Sequence, residues 1–148
     1  MANEATIRAI LTINKLSGST QLLHYQGQSN FVATVTGTRG PNPGTVIASQ
    51  NDSLGTEVDL TGLTDPGLVH IYNQDTTGYV EYGIYDVERG VYFPFGELLP
   101  GEGTVFRFSR NFMEEWGTGT GTTEATNQLR VKSYGGTTGA VFVGAFER

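Results

Sequence analysis

The stretch that decides the fold covers residues 65–108 and reads DPGLVHIYNQDTTGYVEYGIYDVERGVYFPFGELLPGEGTVFRF. Apolar and polar residues alternate along it, and turns that carry Gly or Pro divide it into runs. Successive side chains on a β-strand point to opposite faces of the sheet. The first run therefore predicts a strand. Leu68, His70 and Tyr72 lie on one face of this strand, and Val69, Ile71 and Asn73 lie on the other.

The second run, residues 79–86, repeats the alternation and places Val80, Tyr82 and Ile84 on one face. Residues 74–78 separate the two runs and contain the Gly and short polar residues that a hairpin loop needs. We therefore predict that the two runs pair as antiparallel neighbours.

Shorter alternating runs in the rest of the chain also predict strands. Residues 127–133 and 139–146 are expected to form a terminal hairpin, and the last of these strands is apolar on both faces, which predicts burial on both sides. Residues 38–44 contain two prolines without amide donors and are expected to form a turn or an exposed loop. The other predicted strands cover residues 6–15, 22–26, 30–38, 45–49, 56–60 and 104–110.

The composition is typical of an all-β protein. Only 16% of the 148 residues are charged, and 21 glycines together with many threonines replace the residues that helices favour. About ten short strands with loops of unequal length predict an antiparallel β-sandwich, and a jelly roll fits this pattern better than a meander. The length suits one domain that spans residues 1–148.

The N-terminal segment, residues 1–15, has a separate interpretation within that domain. Its apolar alternation places Ile7, Leu11 and Ile13 on one face, and β-branched residues at alternate positions favour a strand over a helix. Such a segment is expected to be an edge strand or an arm that adds a strand to the open edge of another subunit.

Charge and cysteine content exclude several classes of protein. The net charge is −6, and the nine Lys and Arg residues are scattered, whereas nucleic-acid binding needs a concentrated basic surface. The absence of cysteine excludes disulfides and thiolate metal sites and suits synthesis in a reducing cytoplasm. No export signal or membrane span is expected from the N-terminal sequence or from the hydropathy of the chain.

Catalytic patterns are weak. His24 and His70 lack the HxH or HxxxH spacing that is typical of metal ligands, and no GxSxG elbow is present. Glu114 and Glu115 beside Trp116 resemble a glycosidase pair, but adjacent side chains point in different directions, so a solvated helical turn is the better interpretation. We therefore expect no enzymatic activity, no cofactor and no metal.

Two further patterns are expected to be structural. The GTGTGTT segment at residues 117–123 lacks the Lys-Ser/Thr that follows a phosphate-binding loop, so it is interpreted as a mobile loop. Aspartates in or near predicted turns are expected to be turn formers, with calcium binding as the alternative. These aspartates are Asp52, Asp59, Asp65 and Asp75.

Three segments taken in order carry a resemblance to a known class: DPGLVHIYNQDTTGYVEYGI, then FPFGELLPGEGTVFRF, then NQLRVKSYGGTTGAVFVGAFE. Their order resembles small all-β virion proteins of tailed bacteriophages, which decorate capsids or form adaptor and tail parts. The resemblance implies a jelly roll or a related sandwich, assembly as a trimer or larger ring, and no enzymatic activity. Its turns and core positions supply no binding residues.

The expected function is therefore that of a capsid decoration (cement) protein, made in the host cytoplasm and located in the virion. It would contact copies of itself and the major capsid protein or another virion protein. Candidate interface residues are Ile7, Leu11 and Ile13 on the N-terminal segment and two aromatic residues, Tyr79 and Trp116.

Three alternatives stay open. A tail, neck or baseplate protein could use the same fold. A carbohydrate-binding or receptor-binding β-sandwich would stack glycans on Tyr and Trp side chains. An enzyme on a β-sandwich or a cupin-like barrel would need several His and carboxylate ligands to converge, which two separated histidines make difficult.

Overall fold

A computed structural model describes residues 3–17, 19–35, 40–63, 65–109, 127–136 and 138–147. These residues form ten strands that belong to two compact units, Met1–Thr36 and Gly37–Arg148. The helical turn predicted around Trp116 and the loop predicted at residues 117–123 lie outside the described part of the chain. The strands are β1 Asn3–Ser17, β2 Thr20–Val35, β3 Asn42–Ser49, β4 Thr56–Glu57, β5 Pro66–Asn73, β6 Tyr79–Asp86, β7 Val91–Leu98, β8 Gly103–Arg107, β9 Asn127–Tyr134 and β10 Thr138–Glu147.

The first unit is one long antiparallel hairpin. Strands β1 and β2 pair from Asn3 opposite Val35 to Ser17 opposite Thr20. The predicted break at residues 27–29 is wrong, because these residues continue the ladder opposite β1. The side chain of Tyr25 lies over the position that a Gly27 side chain would fill, so this glycine is accommodated inside β2 without a turn. The single-domain organisation and the action of residues 1–15 as an arm stay predictions.

The second unit is a sandwich of two four-stranded antiparallel sheets. Sheet I has the order β3-β10-β5-β8, and sheet II has the order β4-β9-β6-β7. Four antiparallel pairs are nested within one another, namely β6 with β7, β5 with β8, β4 with β9 and β3 with β10. This is a long hairpin wound into two facing sheets, which is the strand arrangement of a jelly roll. The predicted all-β fold is confirmed.

Two predicted hairpins are wrong. Strand β5 belongs to sheet I and β6 to sheet II, and the same separation holds for β9 and β10. After β5 the chain stays bonded to sheet I, because Gln74 donates its amide to the carbonyl of Ala140 at 3.0 Å, before it crosses to sheet II. Each of these four strands has an apolar face. Because successive strands lie in opposite sheets, their apolar faces point toward the same core.

The core fills the space between the two sheets. Val69 and Ile71 of β5, which the alternation places on one face, and Val80 of β6 are fully buried. Burial of each such side chain contributes about 1.5–3 kcal/mol. Strand β10 is central in sheet I, and its inner face is buried while Phe142 and Phe146 on the other face are partly exposed. The remaining core residues are Ala48, Val58, Leu60, Leu63, Leu98, Phe108, Leu129, Val131, Val141, Val143 and Ala145.

Prolines and a bulge shape the sheet edges. Strand β3 begins at Asn42 and includes Pro43, so the predicted loop at residues 38–44 is too long at its C-terminal end. Because β3 is an edge strand, a proline without an amide donor is tolerated there. At the β7 edge of sheet II, the β6–β7 ladder shifts register after Tyr82, and a side chain on Gly83 would collide with the backbone of β7.

Candidate interaction surfaces

The described residues show no group of three or more His, Asp or Glu side chains that could hold a metal ion. His24 lies on β2 and His70 on β5, so the two histidines belong to different units. In the part of the chain that the structure describes, no helix is long and apolar enough to cross a bilayer.

Three of the aspartates noted in the sequence form turns. Asp52 accepts a hydrogen bond from the Leu54 amide at 3.0 Å, and Asp59 accepts one from the Thr61 amide at 2.9 Å. Asp75 accepts the amide of Thr76 at 2.6 Å. Hydrogen bonds from Thr61, its hydroxyl first, lower the pKa of Asp59, and amide hydrogen bonds of the following loop lower the pKa of Asp75. These contacts confirm turn formation at the three positions.

The hairpin has one mainly apolar face, which we call the hairpin face: Ile7, Ala9, Leu11, Ile13 and Tyr25. Ser29, which pairs with Ala9, is a described polar residue of this face. Ile13 pairs with Tyr25 across the two strands, and Leu11 pairs with Gly27 beside the tyrosine ring. Leu11 is 56% exposed and Tyr25 is 51% exposed. An isolated two-stranded hairpin is at best marginally stable in water. The hairpin face is therefore a surface that a partner would stabilise.

The opposite face of the hairpin is mostly polar. Its described side chains are those of Thr6, Arg8, Ile10, Thr12, His24, Gln26 and Gln28. Ile10 is 52% exposed and directly precedes Leu11. The two residues are similar in size and exposure but point to opposite faces, so they form a matched pair for experiments.

The outer face of sheet I carries an apolar patch, which we call face I: Ile47, His70, Tyr72, Val105 and Phe142. Thr45 and Arg107 lie on the same outer face beside this patch. Phe142 pairs with Tyr72 across β10 and β5, and His70 pairs with Val105 across β5 and β8. The His70 ring lies 5.9 Å from that of Phe142 and 6.5 Å from that of Tyr72, measured between centroids. Ile47 is 58% exposed. An outer sheet face is usually polar, so this surface is a candidate for contact with another molecule.

The outer face of sheet II, which we call face II, combines tyrosines with charged groups. The rings of Tyr79 and Tyr134 stack in parallel with centroids 4.7 Å apart. The guanidinium of Arg130 lies 4.2 Å from the centroid of Tyr85 and donates a hydrogen bond to the carbonyl of Gly55 at 3.0 Å. One face of each of these three rings is thus occupied by a group of the protein itself.

Two tyrosine hydroxyls beside Glu81 are kept neutral. Burial, together with a hydrogen bond to Glu81 and its negative charge, raises the pKa of Tyr134 to about 12. Burial and the charge of Glu81 raise the pKa of Tyr92 well above its usual range. The Tyr92 hydroxyl is buried and has no hydrogen-bond partner among the described residues.

These shifts predict an alkaline loss of stability. The folded state favours the neutral phenol. The contribution of Tyr134 to the free energy of unfolding is therefore present below pH 10 and is lost as the pH rises toward about 12. Urea denaturation across this interval should show a smaller decline in the unfolding free energy for Tyr134→Phe than for the unmodified chain. Tyrosinate absorbance should show Tyr92 ionising later still, and an ordinary titration of Tyr92 would contradict its burial.

A third apolar surface lies at the β7 edge of sheet II, and we call it the rim. Phe93 is 49% exposed and Phe95 is 53% exposed. Phe95 is the extra residue at the β6–β7 register shift, and its ring packs edge-on against Tyr82 and Phe106, with centroids 4.9 and 5.7 Å away. The rim is therefore partly anchored in the core between the sheets.

The structure brings together three of the five residues proposed from the sequence. Ile7, Leu11 and Ile13 share the hairpin face. Tyr79 lies in the other unit, partly buried on face II, and Trp116 lies outside the described residues. Face I and the rim were not predicted. The only signal for face I was that neither side of the 68–73 strand is wholly polar.

Comparison of the chain with protein-family models, with curated proteins and with solved structures gives no match.

Proposed function

We propose that this protein is a non-enzymatic structural subunit of a tailed-bacteriophage virion and that it acts as a capsid decoration protein. It works by burying apolar surface against copies of itself and against the shell. The observation that carries the proposal is the hairpin face, where Leu11, Ile13 and Tyr25 are all exposed by 39% or more. A subunit with such an apolar hairpin is suited to assembly, because a two-stranded hairpin gains stability from a partner strand or sheet.

The composition supports the same proposal. A virion protein stays soluble until it assembles, which suits a net charge of −6, and it is made in a reducing cytoplasm, which suits a chain without cysteine. The jelly roll is a fold that viral capsid domains use, as do lectins and cupins, so the fold alone does not select among these functions.

The first test is the mass of the protein in solution by light scattering, across a concentration series. We expect an oligomer, with a trimer favoured, in place of the 16.0 kDa monomer. The double variant Leu11→Glu/Ile13→Glu should dissociate to the monomer, since burial of two unpaired carboxylates is unfavourable. Circular dichroism should show that the variant retains its β structure.

The control is Ile10→Glu/Thr12→Glu, which places the same two charges on the opposite face of the same strand. It should assemble like the unmodified protein. Equal dissociation by both double variants would show that charge or strand disruption, rather than the hairpin face, is responsible. A monomeric unmodified protein at every concentration would contradict self-association.

Location in the virion needs a separate test. Immunogold labelling of particles from the phage that encodes the chain should place gold on the heads. Label on tails or necks would favour the tail, neck or baseplate alternative, and intact particles without label would contradict a virion role.

Carbohydrate or receptor binding is the second candidate, and face II favours it because tyrosines lie beside Glu81, Arg130 and Lys132. It ranks lower because Tyr79 already stacks on Tyr134 and Tyr85 on Arg130. Glycan-array binding that Tyr79→Ala abolishes, with assembly unchanged, would place this function first.

A further inference from the structure

The hairpin face and face I both carry clustered apolar side chains that are exposed. On the hairpin face, Leu11 is 56% exposed and Ile13 is 39% exposed, and on face I, Ile47 is 58% exposed and Val105 is 40% exposed. Each surface belongs to a β-sheet, and two sheets pack face to face at about 10 Å with interdigitating side chains. Each surface therefore offers exposed apolar side chains that a second sheet would bury.

Charge indicates which kinds of unit would meet. Met1–Thr36 contains one acidic residue, Glu4, and two basic residues, Arg8 and Lys15, which gives a net charge of +1. The whole chain carries −6, so Gly37–Arg148 carries −7. The opposite net charges favour contact of a hairpin with a jelly roll over contact between two jelly rolls, which repel each other, or between two hairpins.

The area indicates how such contacts would be arranged. Residues 7–13 span roughly 20 Å at about 3.3 Å per residue, and a two-stranded ribbon is roughly 10 Å wide, so each side of one contact buries a few hundred Å². This is below the size of a stable two-body interface, which buries about 1,200–2,000 Å² in total. A contact between two different surfaces can close into a ring, in which every subunit gives one contact and receives another.

We propose that the hairpin face of one copy docks on face I of the next copy, and that this head-to-tail contact closes the oligomer into a ring. The inference rests on the self-association in the proposed function but not on a virion location. It assigns face I, a surface without an assigned role, to the hairpin of a second copy.

The chain has no cysteine, so introduced cysteines report single contacts without background. A Leu11→Cys chain mixed with a Val105→Cys chain under mild oxidation should form a disulfide-linked heterodimer at twice the monomer mass of 16.0 kDa. Ile10→Cys is the matched control on the hairpin, because it is 52% exposed on the opposite face. Leu99→Cys is the matched control on the jelly roll, because it is 51% exposed and lies outside face I.

The expected result is at least a tenfold faster heterodimer formation by the Leu11→Cys and Val105→Cys pair than by either control pair. Homodimers of Leu11→Cys that form as fast as the heterodimer would show that hairpins pair with each other, and the inference would be wrong. Equal rates for Val105→Cys and Leu99→Cys would also overturn it. In both cases light scattering of the unmodified protein still tests the proposed function by itself.

A complementation experiment tests the head-to-tail arrangement. Variant Leu11→Glu/Ile13→Glu keeps face I, and variant Ile47→Glu/Val105→Glu keeps the hairpin face. Each variant alone should stay a monomer at every concentration, because it lacks one of the two surfaces. An equimolar mixture should form a heterodimer only at high protein concentration, since one intact hairpin can dock on one intact face I but this single contact closes no ring. Assembly of the face I variant by itself would overturn the inference.

Discussion

Replacement of Asn73 by Ala is expected to destabilise the jelly roll by about 2–6 kcal/mol, because two buried carbonyl groups lose their donor at about 1–3 kcal/mol each. Asn73 is fully buried at the end of β5. Its side-chain amide donates to the carbonyls of Gly78 at 2.9 Å and Leu98 at 3.0 Å, and its oxygen accepts the Asp75 amide at 2.9 Å. One side chain thus fixes the crossing from sheet I to sheet II.

Urea denaturation measures this effect as a lower midpoint with an unchanged slope. Asn73→Asp should be no better than Asn73→Ala, since a carboxylate keeps the acceptor for Asp75 but presents oxygen to two carbonyl oxygens. Gln74→Ala is the control, because Gln74 is exposed, and it should change the unfolding free energy by no more than about 0.5 kcal/mol. A midpoint for Asn73→Ala equal to that of Gln74→Ala would contradict the role of Asn73.

The same residue shows where prediction from the sequence ends. Alternation correctly placed Val69, Ile71 and Asn73 on one face, because a period of two fixes which side chains share a face, but it did not show that this face is the buried one. It did not show which strand lies alongside, since a short loop with Gly and polar residues suits a hairpin and a crossing equally. The hydrogen bonds that distinguish the two reach Leu98, which is distant in sequence.

The candidate surfaces were predictable to a similar extent. Ile7, Leu11 and Ile13 share a face in the sequence pattern and in the structure. The exposure of Ile47 and Val105 was not predictable, because each lies in a short run with apolar residues at neighbouring positions, and only the placement of the strand in a sheet shows which face looks outward. Gly27 was misinterpreted as a turn because its accommodation depends on Tyr25, two residues away.

The second large effect is expected at Ile71, which contacts the core from the inner face of sheet I. Ile71 is fully buried on β5, between Val143 of β10 and Thr104 of β8 in the hydrogen-bonded ladder. Replacement of Ile71 by Ala removes buried methylene and methyl groups and leaves a cavity, which costs about 2–5 kcal/mol. At about 4 °C per kcal/mol, the midpoint of thermal unfolding should fall by about 8–20 °C.

Ile47→Ala is the matched control, because it makes the same chemical change on the outer face of the same sheet, where the side chain is 58% exposed. Measured on the monomer, Ile47→Ala should lower the free energy of unfolding by less than about 1 kcal/mol, since most of the side chain already contacts water.

The two substitutions should have the opposite order of effect on assembly. Ile47→Ala removes part of face I and should weaken the oligomer in a dilution series, whereas Ile71→Ala leaves that surface unchanged and should assemble at temperatures where it is folded. Equal destabilisation of the monomer by the two substitutions would show that face I is covered within the chain, and its docking role would then be lost.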